Sequence, residues 1–270
     1  MKNLRKYILF FTIILSGTQI HANTNYFLGS GEYFNLSFKT DIPLISTGLV
    51  LNIADIVLDN VFTFKNQDYK NQNFYIEDVN SFDKWAMQPY SESLDVFSNI
   101  TLGLALASPI VMITAPATEY FTIGTMFAES ILIANGLKNL GKTFFYRARP
   151  YMYYENPPIE KIEENDWNKS FPSGHTTLAF TGAAFTSFVF STYYKDSPWK
   201  LPVILSSYTF ALSTGIFRIC SGNHFVTDVL IGAVIGTTTG FLIPWLHTIN
   251  KNKNINLSVT GNTVLVKLNF

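Results

Sequence analysis

Six long apolar segments dominate the pattern of hydrophobic and polar positions along the chain. They lie at about 43–57, 93–118, 120–141, 174–194, 201–218 and 225–247. Each segment is long enough for a helix, and polar or turn-forming residues separate it from the next. The pattern therefore predicts an all-α fold whose core is a six-helix bundle.

Several of these segments are apolar enough to cross a bilayer. Three of them carry no Asp, Glu, Lys or Arg over about 18 or more residues, the length that a span requires: Val96–Thr118, Thr176–Tyr194 and Val229–Leu246. The first segment is weaker because Asp55 and Asp59 lie at its end, so we expect it to lie at the surface. The third segment carries Glu129. A soluble protein with the same six helices is the alternative.

The two ends of the chain differ from this helical core. Basic residues precede the apolar run Tyr7–Leu15, and a cleavage site is available after Ala22, which is typical of a signal peptide or an N-terminal anchor. Alternating apolar positions on both sides of Gly261 and Asn262 predict a β-hairpin. We therefore divide the chain into a leader (1–22), an extension with the first helix (23–92), a core (93–248) and a tail with the hairpin (249–270).

Composition narrows the choice of partners. Only 14% of the residues are charged and 47% are hydrophobic, whereas an ordinary soluble domain has about 25% charged residues; this favours contact with a membrane. The net charge is zero, so no basic surface is expected to hold nucleic acid. Cys220 is the only cysteine, which excludes an internal disulfide and the paired-cysteine zinc motifs. We expect neither a cofactor nor a metal in the functional site.

Cations and imidazoles gather in three clusters, each at the end of a predicted helix. The third segment is followed by Lys142, Arg149 and Pro150; the fourth begins with Pro172, Ser173, Gly174 and His175; Arg218, His224 and Asp228 lie between the fifth and the sixth. Consecutive helices of an up-and-down bundle run antiparallel, so these four helix ends share one end of the bundle. The three clusters are therefore predicted to converge.

The converged clusters favour an anion, and a tetrahedral phosphate better than a carboxylate. A phosphate has enough oxygens to bind two guanidinium groups, an ammonium group and the backbone amides of Ser173 and Gly174 together. His224 and Asp228 lie four residues apart and therefore on one helix face, so the carboxylate is expected to orient the imidazole as a nucleophile. His175 is then the general acid for the leaving oxygen.

These motifs resemble those of the type 2 phosphatidic acid phosphatase superfamily, which also contains bacterial class A acid phosphatases and vanadium haloperoxidases. The family signatures are Lys-x6-Arg-Pro, Pro-Ser-Gly-His and Ser-Arg-x5-His-x3-Asp, and the resemblance covers roughly Ser98 to His247. It implies that Lys142, Arg149, Ser173, Gly174 and Arg218 bind phosphate, that His175 donates the proton, and that His224 forms a phosphohistidine oriented by Asp228. One position departs from the family, since Phe217 replaces the serine before the last arginine.

The expected function is that of a metal-independent phosphatase of the bacterial cell envelope. Its expected substrate is a phosphomonoester or pyrophosphate of a lipid or isoprenoid, hydrolysed at the periplasmic face of the membrane. The acidic loop from Glu155 to Asp166 is either a lid that influences substrate choice or a solvated connection. Three alternatives remain open: a soluble periplasmic acid phosphatase of broad specificity, a vanadate-dependent haloperoxidase, and a non-enzymatic membrane or transport protein that retains a phosphate pocket.

Overall fold

The structure is a computed structural model that describes residues 32–61 and 72–248, together with two strands near the C-terminus. Tyr26–Thr248 form one compact unit. The expected leader at 1–22 lies outside the described residues. Within them the prediction of an all-α fold with a six-helix core is confirmed.

The described residues contain eight α-helices. They are α1 (Phe38–Val61), α2 (Ser81–Lys84), α3 (Glu92–Ala107), α4 (Tyr120–Phe144), α5 (Ile159–Glu163), α6 (Gly174–Tyr193), α7 (Lys200–Cys220) and α8 (Val226–Leu246). Short 3₁₀ turns at Ser108–Thr114 and Pro150–Tyr153 follow α3 and α4. The six long helices correspond to the six apolar segments of the sequence, and the two short ones lie in the extension and in the acidic loop.

Helix α6 is the centre of the bundle, because α3, α4, α7 and α8 all pack against it. Its contact with α8 is especially close. Three glycines of α8, which we call the glycine seam, face backbone carbonyls of α6: Gly232, Gly236 and Gly240. A Cβ added at Gly236 would lie 2.2 Å from the Thr177 carbonyl oxygen. Small residues at four-residue spacing allow two helix backbones to approach in this way, and the approach brings the starts of α6 and α8 together.

Four helical segments are long and apolar enough to cross a membrane: Phe38–Asp59, Glu92–Thr114, Lys200–Cys220 and Val226–Leu246. Large apolar side chains on them face outwards, among them Ile56, Val96, Leu205 and Val234, and such a surface is stable in lipid rather than in water. The protein is therefore membrane-associated.

The distribution of these candidate spans differs from the sequence-based expectation at two helices. Helix α6 is not among the four found in the described residues, because its Thr, Ser and Gly residues lower its mean hydropathy. Helix α1, which we expected at the surface, is one of them and packs against α4. Its acidic residues have partners, since Asp55 accepts a 2.6 Å hydrogen bond from Thr143 and Asp59 lies 3.4 Å from the Lys169 ammonium group.

The C-terminal tail contains two strands, β1 (Ile255–Thr260) and β2 (Thr263–Leu268). They pair antiparallel, with Ile255 opposite Leu268 and Thr260 opposite Thr263. Two residues separate the strands in the sequence.

Candidate active site

The structure brings the three sequence clusters together at one end of the bundle. Helices α4 and α7 end there, and α6 and α8 begin there, as the up-and-down arrangement requires. Arg149 from the first cluster lies 3.1 Å from His224 in the third, and the Ser173 amide of the second donates a 3.0 Å hydrogen bond to the Asp228 carbonyl. Residues up to 86 positions apart in the sequence thus line one polar site, from Lys142 to Asp228.

The His224 imidazole is buried, with 2% of its surface exposed. Its Nε2 atom lies 3.1 Å from Nη1 of Arg149, and its Nδ1 atom lies 3.6 Å from a carboxylate oxygen of Asp228. A guanidinium group only donates hydrogen bonds, so Nε2 accepts and the ring proton is on Nδ1, facing the carboxylate. The lone pair of Nε2 therefore points towards the cations.

Burial and neighbouring cations keep His224 neutral. Desolvation, followed by the positive charges of Arg149 and Arg218, lowers the pKa of His224 well below its ordinary value. Among the described residues Nδ1 has no hydrogen-bond partner, because 3.6 Å is too long for a hydrogen bond to Asp228. The carboxylate thus acts on the ring by charge and position.

Three donors fix the Asp228 carboxylate at the first turn of α8. They are the Phe225 amide at 2.9 Å, the Ser170 hydroxyl at 2.5 Å and Nη1 of Arg147 at 2.6 Å. The Phe225 contact is half of a capping arrangement that begins the helix. Ser170 and Arg147 were not predicted from the sequence, although Arg147 lies inside the first motif, because neither occupies a signature position.

Arg147 also connects Asp228 to the N-terminal extension. Its Nη2 lies 2.7 Å from Oδ2 of Asp83 in α2, and its guanidinium group lies 3.9 Å from the centre of the Phe225 ring. Asp83 in turn accepts hydrogen bonds of 2.9 and 2.8 Å from the amide and hydroxyl of Thr227. The charge pair therefore ties α2 to the start of α8 and orients the residues that hold His224.

Arg149 is almost fully buried and points its guanidinium group at His224. Its Nε and Nη2 atoms donate to the carbonyl and carboxylate of Asp166 at 2.8 and 2.7 Å, and Nη1 donates to the Asn223 carbonyl at 2.9 Å. Although burial disfavours the charge of Asp166, the Arg149 guanidinium lowers the pKa of that carboxyl. Asp166 belongs to the acidic loop, so that loop is attached to the site by an ion pair.

Arg218 approaches from the end of α7 and is equally buried. It forms an ion pair with Asp95 of α3 and lies 3.3 Å from the Ser98 hydroxyl. Its Nε has no hydrogen-bond partner among the described residues, which leaves a donor available for an anion. Asp95 also pairs with Lys161 of the acidic loop at 2.8 Å. The loop is therefore held on the site at two points, through Asp166 and Lys161.

The start of α6 supplies the second imidazole. Nε2 of His175 lies 2.7 Å from the side-chain oxygen of Asn99, an acceptor, so this nitrogen carries the ring proton. Burial, followed by the positive charge of Arg218, lowers the pKa of His175 to about 3. Asn99 was also not predicted from the sequence, because it lies in α3, within an apolar segment and away from every motif.

The backbone at the start of α6 differs in one detail from the expectation. We predicted that the amides of both Ser173 and Gly174 would bind phosphate, but the Ser173 amide already donates to the Asp228 carbonyl at 3.0 Å, and its hydroxyl caps α6 by accepting from the Thr176 amide. The reason is the close packing of α6 on α8. In this part of the chain the amides of Gly174 and His175 have no acceptor and stay available.

Lysine side chains from the last turns of α4 complete the positive charge. Burial, followed by the charge of Arg149, lowers the pKa of Lys142 to about 7. Lys138, one turn earlier, extends along the start of α6, where a Cβ at Gly174 would lie 3.2 Å from its side chain. Phe217, which replaces the serine of the family signature, packs against Phe97 with ring centres 5.9 Å apart.

Residues 124–252 match the PAP2 superfamily. The match covers 129 of the 270 residues of this chain, so its similarity to the PAP2 superfamily lies in the region from α4 to α8. This finding confirms the resemblance inferred from the three motifs, and the matched residues include all three of them.

Three curated PAP2 relatives illustrate the similarity. Lipid A 1-phosphatase of Porphyromonas gingivalis is 34% identical over 119 residues, which are 44% of this chain and 22% of that protein. The bacitracin transport permease protein BcrC of Bacillus licheniformis is 33% identical over 89 residues, or 33% of this chain and 39% of that protein. Lipid phosphate phosphatase 1 of Arabidopsis thaliana is 30% identical over 135 residues, or 43% of this chain and 41% of that protein. The chain thus spans less than half of each relative.

Two solved structures are also similar. The crystal structure of LpxE from Aquifex aeolicus has a TM-score of 0.43 and 24% identity, covering 63% of this chain and 98% of that one. A transmembrane PAP2-type phosphatidylglycerolphosphate phosphatase from Bacillus subtilis has a TM-score of 0.42 and 20% identity, covering 77% of this chain and 96% of that one.

Proposed function

We propose that this protein is a phosphatase that removes a phosphate group from a membrane-bound lipid or isoprenoid phosphate through a phosphohistidine at His224. The observation that carries the proposal is the position of Nε2 of His224, an acceptor nitrogen 3.1 Å from a buried guanidinium group, with Asp228 on the opposite side of the ring. The similarity of residues 124–252 to the PAP2 superfamily supports it. Of the relatives above, two are named as phosphatases of lipid substrates.

The reaction begins when Nε2 of His224 attacks the phosphorus atom. The N–P bond forms as the bond to the leaving oxygen breaks, and His175 gives that oxygen a proton. Arg149, Arg218 and Lys142, with the free amides at the start of α6, stabilise the negative charge on the three equatorial oxygens. A water molecule then attacks the phosphohistidine, His175 takes its proton, and inorganic phosphate leaves.

The substrate itself is needed to charge the general acid. Without phosphate, burial and the surrounding cations hold the pKa of His175 near 3, so its imidazole is neutral at pH 7. A phosphate dianion neutralises those cations and favours the imidazolium form. His175 therefore becomes protonated, and able to act as an acid, only when the substrate is bound. Before the substrate binds, the site does not contain this additional buried positive charge.

An amphiphilic substrate agrees with the surroundings of the site. An aromatic groove of about 410 Å³ lies beside the cluster and is lined by Phe144, Phe145, Tyr146, Arg147 and Phe171. Arg147 is shared between the groove and the Asp228 network, so an apolar chain in the groove lies next to the phosphate end. This arrangement favours a lipid phosphate over a small soluble ester.

The site is expected to face the periplasm. Lys195 lies between α6 and α7 and Lys200 begins α7, at the end of the bundle opposite His224. Lysines on short connections favour the cytoplasmic side, which leaves the active end outside.

The proposal is tested by measuring phosphate release from three substrate classes with a chelator present: lipid phosphates in vesicles, polyprenyl pyrophosphates and soluble aryl phosphates. His224→Ala should lower the rate about 10⁴-fold on all of them. His175→Ala should lower it about 10²-fold or more on alkyl substrates and less on aryl phosphates, whose leaving group needs no proton. An alkali-stable, acid-labile phosphoryl group should be trapped on the wild type and be absent from His224→Ala.

The two enzymatic alternatives have their own outcomes. Equal rates on soluble and vesicle substrates would instead indicate an acid phosphatase of broad specificity, and halide oxidation dependent on vanadate without phosphate release would indicate a haloperoxidase. Phosphate release by His224→Ala at the wild-type rate would exclude the nucleophile proposed here.

A further inference from the structure

A second cluster of ionisable side chains lies at the other end of the bundle, away from the proposed active site. Asp41 of α1, Glu129 of α4 and His247 at the end of α8 meet there, and each has at most 2% of its surface exposed. Helix α8 begins beside His224 and ends at His247, so its 21 residues separate the two places by about 30 Å at 1.5 Å per residue. None of the three residues takes part in the proposed reaction.

The orientation of His247 leaves one ring nitrogen for a ligand. Its Nδ1 lies 2.8 Å from the Ile243 carbonyl, an acceptor, so Nδ1 carries a proton. The other nitrogen, Nε2, faces Oδ1 of Asp41 at 3.4 Å and Oε2 of Glu129 at 3.3 Å. A backbone hydrogen bond on one ring nitrogen is how metal-ligating histidines are usually held.

Glu129 lacks the partners that such burial requires. Neither oxygen of Glu129 has a hydrogen-bond partner among the described residues, and in the same part of the chain no Lys or Arg pairs with Glu129 or Asp41. Asp41 uses its second oxygen to accept from the Ser37 amide at 2.5 Å. Two buried carboxylates and an inward-facing imidazole nitrogen together form an unbalanced negative cluster, which is costly unless a cation lies between them.

The distances fit a cation between the three groups better than direct ion pairs. Charged nitrogen–oxygen hydrogen bonds are normally about 2.7–2.9 Å, shorter than both contacts of Nε2. Zinc binds nitrogen and oxygen at about 2.0–2.1 Å in tetrahedral geometry, which places two ligand atoms about 3.4 Å apart. The ligand atoms of all three residues lie within 4.8 Å of one another.

We propose that Asp41, Glu129 and His247 bind one zinc-class divalent cation that has a structural role. A mixed nitrogen and oxygen set favours zinc over magnesium or calcium, which prefer oxygen ligands alone. The bound ion would fasten α1 and α4 to the end of α8. The adjacent backbone already contributes to the same junction, since the Asn35 amide donates to the His247 carbonyl at 3.0 Å and Phe34 pairs with Thr248.

The test uses the full chain, purified in detergent, stripped with a chelator and titrated with zinc alone. We expect elemental mass spectrometry to find one zinc ion per chain, and the unfolding temperature to be higher when zinc is bound. Glu129→Gln keeps the size of the side chain and should weaken binding about 100-fold or more, since changes outside the ligand set already cost 10–100-fold. Glu119→Gln is the matched control: Glu119 is also buried beside α4, but it pairs with the Tyr193 hydroxyl at 2.6 Å.

Several results would overturn the proposal. The proposal fails if the wild-type protein binds no zinc in competition with a chromophoric chelator. It also fails if the wild type and Glu129→Gln bind zinc with equal affinity. If Glu129→Gln does not fold, zinc-edge X-ray absorption of the wild type decides instead, because a bound ion without an imidazole ligand excludes His247. Zinc-loaded and zinc-free protein should release phosphate at equal rates per folded molecule, so failure here leaves the proposed phosphatase activity untouched.

Discussion

Replacing Arg147 by methionine tests how much the network behind His224 contributes. Methionine has a similar length and no charge, so the substitution removes two ion pairs while largely keeping the volume. The lost contacts are those to Asp228 at 2.6 Å and to Asp83 at 2.7 Å, together with the stacking on Phe225. Both carboxylates are fully buried and would keep only neutral donors.

The expected cost follows from burial. Removing one member of a buried ion pair costs about 3–5 kcal/mol, and stacking on an aromatic ring adds about 0.5–1 kcal/mol. Because a quarter of the Arg147 side chain is exposed, water compensates part of the loss, and we expect about 3 kcal/mol in the free energy of unfolding. Phosphate release should fall about 10²-fold, the effect of a misplacement of about 1 Å at a reacting group.

Stability is measured by unfolding in detergent with increasing SDS, and activity by phosphate release at saturating and low substrate. Arg147→Lys is the matched control: it keeps the charge but can satisfy only one carboxylate well, so its loss should be intermediate. In the Asp83→Asn background the same Arg147→Met change should cost about 1–2 kcal/mol less, since one pair is already gone.

A variant Arg147→Met that is as stable and as active as the wild type would contradict the role given to this network. Loss of stability with an unchanged turnover rate would contradict only the positioning of Asp228 and would leave Arg147 as a structural residue.

Two further predictions concern packing and pH. Gly236→Ala should lower both the unfolding temperature and the rate of phosphate release, because its Cβ would lie 2.2 Å from the Thr177 carbonyl oxygen. Gly103→Ala is the control: its Cβ meets nothing within 4 Å, so the change should be neutral or slightly stabilising. Equal effects of the two changes would argue against the close contact of α6 and α8. Because the pKa values of His175 and His224 are lowered in the folded protein, these two histidines bind more protons in the unfolded chain below about pH 6.5. In phosphate-free buffer the free energy of unfolding should therefore be largest above about pH 6.5. It should fall by about 1.4 kcal/mol per pH unit for each histidine as the pH decreases towards 4.5. Thermal unfolding across that range measures it, and a flat profile would mean that the histidines are accessible to protons in the folded protein.

The helices and the clustering of the motifs could be predicted because both depend on local order in the sequence. Apolar runs determine where the long helices lie, and antiparallel connection then brings Lys142, His175 and His224 to one end. This required no knowledge of how the helices pack. Helix α6 was expected as a membrane span but is not among the candidate spans of the described residues, because a segment without charges can still be rich in Thr, Ser and Gly and so have a lower mean hydropathy.

The partners of the predicted residues could not be found in this way. Asp95, Asp166 and Asp83 lie in a helix, a loop and the extension, and only the tertiary structure selects them from the 19 acidic residues of the chain. The Ser173 amide was assigned to phosphate because nothing local shows that α8 approaches closely enough to use it. One signal was present: the glycines at four-residue intervals in α8 are typical of close helix contact.

The glycine seam also restricts how α6 and α8 move against each other. Its members recur about every 6 Å along α8, so a slide by a fraction of that distance drives side chains into the carbonyls of α6, whereas a slide by the whole interval meets glycine again. Helices α6 and α8 can therefore pack only at separate relative positions along their axes, and the hydrogen bond from the Ser173 amide to the Asp228 carbonyl selects one of these positions. His175 and His224 consequently belong to one rigid body, and any opening that admits a substrate must come from the elements around that body.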